Sequence, residues 1–122
     1  MIIYTSGTTG KPKGTVHTHG SIEAMCEAMQ TTWGWTENDH ILNILPLHHV
    51  HGIMNIMNTS LWSGAQCTFQ PKFNAEEVWK ALLYEGPQDE DKLNLFMAVP
   101  TVYNKLIEYY DKNGMEGRSS EI

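Results

Sequence analysis

Ten residues near the start of the chain constrain it more than any others: Thr5-Ser6-Gly7-Thr8-Thr9-Gly10-Lys11-Pro12-Lys13-Gly14. They follow directly on a short β-favouring run, Ile2-Ile3-Tyr4, and hold four hydroxyls, three glycines and two lysines. A cluster of breakers this dense ends a strand and makes a loop. Its glycines let backbone amides come close to an anion, while hydroxyl and ammonium groups donate hydrogen bonds to the anion's oxygens. A nucleotide polyphosphate suits that donor set. The P-loop NTPase pattern needs four residues between its first glycine and Gly-Lys, followed by Ser or Thr. Here Gly7 and Gly10 are separated by two residues and Lys11 is followed by Pro12, so that pattern fails on spacing. No GxGxxG of a dinucleotide fold is present either.

Past the loop, strand-like and helix-like segments alternate. Ile2 to Tyr4 has the apolar character of a buried strand, and Thr15 to Thr18 is β-branched enough for a second one. Ser21 is expected to cap a helix in which Ile22, Met25, Cys26, Met29 and Trp33 recur at helical spacing. Trp35 to Asp39 is polar turn chemistry, and Ile41 to Leu45 is an apolar run of strand length closed by Pro46. Ile53, Met57 and Leu61 mark the inward stripe of a helix ending near Gly64. A strand is predicted over Gln66 to Gln70, then Asn74 as cap of a helix carrying Val78, Trp79, Leu82 and Leu83. Residues 85–92 read as a charged loop, Leu93 to Val99 as a strand and Thr101 to Tyr110 as a helix. The alternation predicts an α/β layered fold with mainly parallel pairing. Residues 1–112 form one domain on this reading, and the small, polar residues 113–122 a disordered tail.

Composition excludes several classes. With 8 Lys+Arg against 14 Asp+Glu the net charge is −6, which argues against a broad nucleic-acid footprint built on clustered positive charge. No apolar run approaches the roughly 18 residues that a membrane span needs. Met1 to Tyr4 carries no basic n-region and no Arg/Ser-rich leader, so no targeting peptide is expected. Cys26 and Cys67 form no CxxC framework, which fits a reducing compartment. His48, His49 and His51 crowd three imidazoles into four residues, but no HExxH and no adjacent carboxylate or cysteine completes a ligand set, and no metal site is expected there.

The full string Tyr4-Thr-Ser-Gly-Thr-Thr-Gly-Lys-Pro-Lys-Gly14 closely resembles the phosphate-binding motif of the AMP-forming acyl-CoA synthetase (adenylate-forming) superfamily. Leu45-Pro46-Leu47-His48-His49-Val50-His51-Gly52 is similar to the superfamily's Pro-x-aromatic-His element, between the acyl pocket and the adenylate. On that alignment His49 takes the histidine position, and His51-Gly52 matches the His-Gly of malonate-activating members. Ala98 to Tyr103 resembles the strand-to-helix element that walls the acyl pocket. The resemblance runs to about Lys112. Thr15 departs from it mildly, standing where an apolar residue usually follows Lys-Gly.

The resemblance implies part of the N-terminal large domain of the adenylate-forming fold and a two-step reaction. A carboxylate attacks the α-phosphate of Mg-ATP to give an acyl-adenylate, and coenzyme A then displaces AMP. Thr5, Ser6, Gly7, Thr8, Thr9, Gly10, Lys11, Pro12 and Lys13 are the implied nucleotide-binding residues. His49 is the implied catalytic position, and His49, His51 and Lys105 the substrate-binding ones. The implied acid is malonate or methylmalonate, with Lys105 facing its distal carboxylate. ATP, Mg2+ and coenzyme A are the implied co-substrates, no nucleic acid or membrane span is implied, and the mitochondrial matrix is the implied location. The family's Tyr-Gly-x-Thr-Glu element, ribose-binding Asp and small C-terminal domain are not in this sequence, so it is not expected to act alone. Two alternatives stand beside this reading: a truncated, non-catalytic nucleotide-binding product, and a synthetase for another carboxylic acid.

Overall fold

The computed structural model of the chain describes residues 1–7, 10–83 and 92–113. Two separate sheets are present among them. β1 (Ile2–Thr5) and β2 (Lys13–Val16) form an antiparallel hairpin, with Ile2 opposite Val16 and Thr5 opposite Lys13. This pair is the antiparallel exception to the mainly parallel pairing expected of the fold. A parallel crossover needs about a dozen residues or more, and the connection here is far shorter. β1 is also not a buried strand: Ile2 and Tyr4 are exposed and only Ile3 is half-buried.

The second sheet is parallel, in the order β4-β3-β5, as the alternation of segments predicts. Its central strand β3 (His40–Asn43) is buried along its whole length. β4 (Gln66–Phe69) pairs with it on one side and β5 (Leu95–Phe96) on the other. β5 is much shorter than the predicted strand over Leu93 to Val99, because only Leu95 and Phe96 pair with β3; α4 then begins at Pro100, where proline at a first helical position favours the start.

Successive side chains of β3 point to opposite faces and build two cores. Ile41 packs with Trp35, Ile56 and Ala65. Leu42 and Ile44 pack with Val78 and Leu106 on the other face. The first core is covered by a π-helical segment (His51–Asn58) running into α2 (Thr59–Ser63), with α1 (His19–Trp33) packed outside both. The predicted helix of Ile53 to Leu61 is thus two joined helices of different winding, stopped by Gly64 at φ +74° as its position suggested. The second core is covered by α3 (Ala75–Leu82) and α4 (Pro100–Asn113). Trp79 on α3 donates its indole N–H to the Leu106 carbonyl at 3.0 Å, joining those two helices.

The capping of α1 differs from expectation. Thr18 is the cap, accepting from the Ser21 amide at 3.1 Å, while the Ser21 hydroxyl accepts from the Thr18 amide at 3.0 Å. Ser21 occupies the third helical position of a reciprocal capping box, so the helix begins earlier and β2 ends at Val16. Asn74 caps α3 as predicted, accepting from the Glu76 and Glu77 amides. The predicted loop of residues 85–92, apart from Lys92, and the predicted tail, apart from Asn113 at the end of α4, lie outside the described residues.

Candidate functional site

The hairpin register sets the phosphate-type loop. Thr5 faces Lys13 across the ladder, and its hydroxyl donates to the Lys13 carbonyl at 3.4 Å. Gly7 sits at φ +62°, and a Cβ there would collide with the Lys11 carbonyl oxygen, so no other residue fits. Thr5, Ser6, Lys11, Pro12 and Lys13 are exposed around the loop, as is Gly10 at φ +81°. Among the described residues neither Lys11 nor Lys13 forms an ion pair. Their charges therefore stay available to an incoming anion. Thr8 and Thr9, also expected donors, lie outside the described residues.

The parallel sheet makes a second locus. The chain leaving β3 goes to the π-helix on one face, and the chain leaving the adjacent strand β5 goes to α4 on the other. Neighbouring parallel strands whose connections part to opposite faces open a crevice outside their carboxyl ends, where open α/β sheets bind ligands. The segments bordering it are Leu45 to Gly52 and Met97 to Pro100. The first is one of the two acyl-side segments singled out in the sequence, and the second overlaps the other, Ala98 to Tyr103.

Within the first segment the Pro46 carbonyl accepts from the His49 amide at 3.2 Å, and the His49 carbonyl accepts from the Ile53 amide at 3.1 Å. That turn projects His48 and His49 into solvent with their rings 4.3 Å apart and tilted by 44°. His51 is half-buried, and its Nε2 is sealed from solvent without a hydrogen-bond partner among the described residues. Gly52 is buried, and a Cβ on it would lie 2.5 Å from the Pro46 carbonyl oxygen. Sequence reasoning missed Asn43, whose buried carboxamide holds both ends of this segment. The signal was there, a single amide within the apolar run Ile41-Leu42-Asn43-Ile44-Leu45, since a buried polar group must find partners.

Beyond the second segment, Tyr103 on the first turn of α4 stacks edge-on against Phe96 and donates its hydroxyl to the Phe96 carbonyl at 3.4 Å. Lys105 is exposed on the same helix, with its ammonium 5.7 Å from the centre of the Phe73 ring. Phe73 packs on the core beneath α3 and α4, whereas His51 and Gly52 belong to the opposite face. The structure thus sets His48 beside His49 in solvent, keeps His51 half-buried two residues on, and places Lys105 against Phe73 of the other core. Among the described residues no three His, Cys, Asp or Glu side chains converge on a cation position, and no helix is long and apolar enough to cross a membrane.

The sequence model of the AMP-binding enzyme family matches residues 1–120. The chain is 53% identical over 114 residues to the mitochondrial malonate–CoA ligase ACSF3 of Mus musculus, covering 93% of this chain and 19% of that protein. The ATP-bound crystal structure of MatB from Rhodopseudomonas palustris superposes with a TM-score of 0.77 at 29% identity, over 88% of this chain and 20% of that one. The o-succinylbenzoate coenzyme A synthetase MenE of Bacillus subtilis, in complex with ATP and magnesium ion, does so with a TM-score of 0.74 at 30% identity, over 88% and 21%. The chain spans about a fifth of the length of the relatives it matches. With the family's sequence model matching nearly its whole length, the chain belongs to the AMP-binding enzyme family.

Proposed function

We propose that this chain is the phosphate-loop and acyl-side portion of an AMP-forming acid–thiol ligase acting on malonate or methylmalonate. The observation carrying it is the loop from Thr5 to Lys13, whose ends the hairpin pairs and whose Lys11 and Lys13 form no ion pair among the described residues, in a chain half identical to a malonate–CoA ligase. In the first step a substrate carboxylate oxygen attacks the α-phosphorus of Mg-ATP and pyrophosphate leaves. In the second, the coenzyme A sulfur attacks the acyl carbon and AMP leaves with the bonding pair.

The chain's own residues contribute positioning and charge stabilisation. Thr5, Ser6, Thr8, Thr9, Lys11 and Lys13 hold the β- and γ-phosphates, so the pyrophosphate leaves into a preorganised set of donors. Gly7 and Gly10 admit the backbone to the phosphates, and Pro12 stiffens the loop. His49 contacts the reacting carboxylate at the mouth of the crevice. His51 offers an Nε2 with no partner of its own, a position that a substrate oxygen satisfies. Lys105 is assigned to the distal carboxylate, although it lies five residues into α4, about 7 Å along the axis from Pro100. A mitochondrial location follows the name of the mouse relative.

Pyrophosphate release by the full-length ligase carrying this segment, measured over a panel of carboxylic acids, tests the reading. Malonate and methylmalonate are expected to outpace acetate, medium-chain and aryl acids, and a preference for any of the latter refutes the substrate assignment. Lys13→Ala is expected to raise the KM for ATP about tenfold, the loss of one charge-assisted contact. Lys105→Glu is expected to weaken malonate far more than acetate. Equal loss for both acids removes Lys105 from the site.

A further inference from the structure

We propose that Asn43 is a positioning residue for the acid side of this site: its carboxamide clamps the Leu45–Gly52 segment to the end of the central strand and so sets where His49 and His51 stand. The inference rests on the reading above that this segment faces the substrate carboxylate.

Asn43 ends β3 and is only 1% exposed. On the alternation of β3 its side chain belongs to the face of Ile41, where an aliphatic residue would be the default. A carboxamide there is tolerable only with its polar atoms paired. Both ends of it are. Oδ1 accepts from the Leu45 amide at 3.0 Å, and Nδ2 donates to the Gly52 carbonyl at 3.1 Å. These bonds grip the two ends of the segment that carries the three imidazoles.

Three further contacts make the clamp specific in shape. The Asn43 carbonyl accepts from the Gln70 amide at 3.0 Å, which anchors the residue to the chain leaving β4. Gly52 lies so close to the Pro46 carbonyl that the segment doubles back with backbone against backbone. The Pro46–His49 turn then fixes the histidines relative to that fold-back. A serine or an aliphatic residue at position 43 reaches at most one end of the segment, so the carboxamide's paired donor and acceptor are what the geometry uses.

The test compares Asn43→Ala and Asn43→Asp with wild type in the full-length ligase carrying this segment. Asn43→Asp keeps the volume and the acceptor for the Leu45 amide but loses the donor to Gly52. Asn58→Ala is the control, since among the described residues the Asn58 amide reaches only the Met54 sulfur within the same helical segment. Both Asn43 variants are expected to raise the KM for malonate at least tenfold while the KM for ATP stays within twofold, with neither constant moved by the control. Malonate and ATP constants that rise together, constants that stay within twofold of wild type, or a failure of both variants to fold each overturn the proposal. A wild-type enzyme that releases no pyrophosphate with any carboxylate overturns the underlying reading and the inference with it, and that result shows in the wild-type arm alone.

Discussion

Gly52 is determined by the space left for it rather than by its backbone angles. Its φ is not in the left-handed region, so alanine suits the backbone there, but the added methyl would meet the Pro46 carbonyl oxygen at 2.5 Å and the Leu45 carbonyl oxygen at 3.0 Å. Both obstacles are backbone and cannot swing aside. Gly52→Ala is therefore expected to cost about 1–3 kcal/mol, the usual range for overpacking, read as a lower urea midpoint at unchanged slope. The two thiols give a second residue-scale prediction. Burial pushes Cys26 and Cys67 above the ordinary thiol value, and hydrogen bonds to Thr59 and Ser60 offset this only in part. A folded-state pKa above the unfolded one means the folded protein holds the proton more tightly. Stability from this source is intact below the unfolded thiol's pKa and falls as pH rises through the folded value. Both thiols are expected to react with iodoacetamide at pH 8 at least about tenfold more slowly than free cysteine, because the thiolate is the reactive form. Equal rates would place either thiol outside the packed interior.

At the scale of elements, local side-chain chemistry sets the boundaries. α1 starts at a reciprocal Thr18–Ser21 capping box and α3 at Asn74, which accepts from two amides. Thr18→Ala and Asn74→Ala are each expected to cost about 1 kcal/mol, measurable as a shift of the denaturation midpoint. Ser21→Ala is expected to cost less than Thr18→Ala, because Thr18 satisfies the orphan helix amide; the reverse order would restore Ser21 as the cap. The sequence made Asn74 readable because a single cap residue precedes the apolar stripe. It obscured Thr18 because both ends of a capping box are hydroxyl residues and either reads as the cap. The parallel strands around Ile41–Leu45 were legible from β-branched and aliphatic runs bounded by Pro and Gly. The antiparallel hairpin was not, since apolar content in Ile2-Ile3-Tyr4 says nothing about which strand lies alongside. The phosphate-type loop was legible as a string because its spacing is specific. The Asn43 clamp was not, because its partners are Leu45 and Gly52 backbone groups, which carry no residue signature.

At the scale of the whole molecule, the two sheets differ in how they are supported. β3 is paired on both sides and covered on both faces, and its Ile41 and Leu42 each anchor one of the two cores. Among the described residues the hairpin is paired only with itself. Tyr4 and Val16 are 67% and 69% exposed, and neither core draws a residue from β1 or β2. Free energies of local opening follow this difference, since an isolated two-stranded hairpin is marginal in water while a covered central strand opens only with its domain. Amide hydrogen exchange on this chain is therefore expected to protect Ile41 and Leu42 most strongly and the amides of β1 and β2 at least about a hundredfold less, a gap of some 3 kcal/mol at 25 °C. The same gradient bears on the loop. The donors proposed to hold a polyphosphate sit on the exposed hairpin, whereas the segment proposed for the acid side is held by Asn43 to the end of the central strand. Addition of Mg-ATP is accordingly expected to slow exchange in β1 and β2 and to leave the β3 amides unchanged. Protection that rises equally in both sheets would mean that the hairpin and the parallel sheet open as one unit.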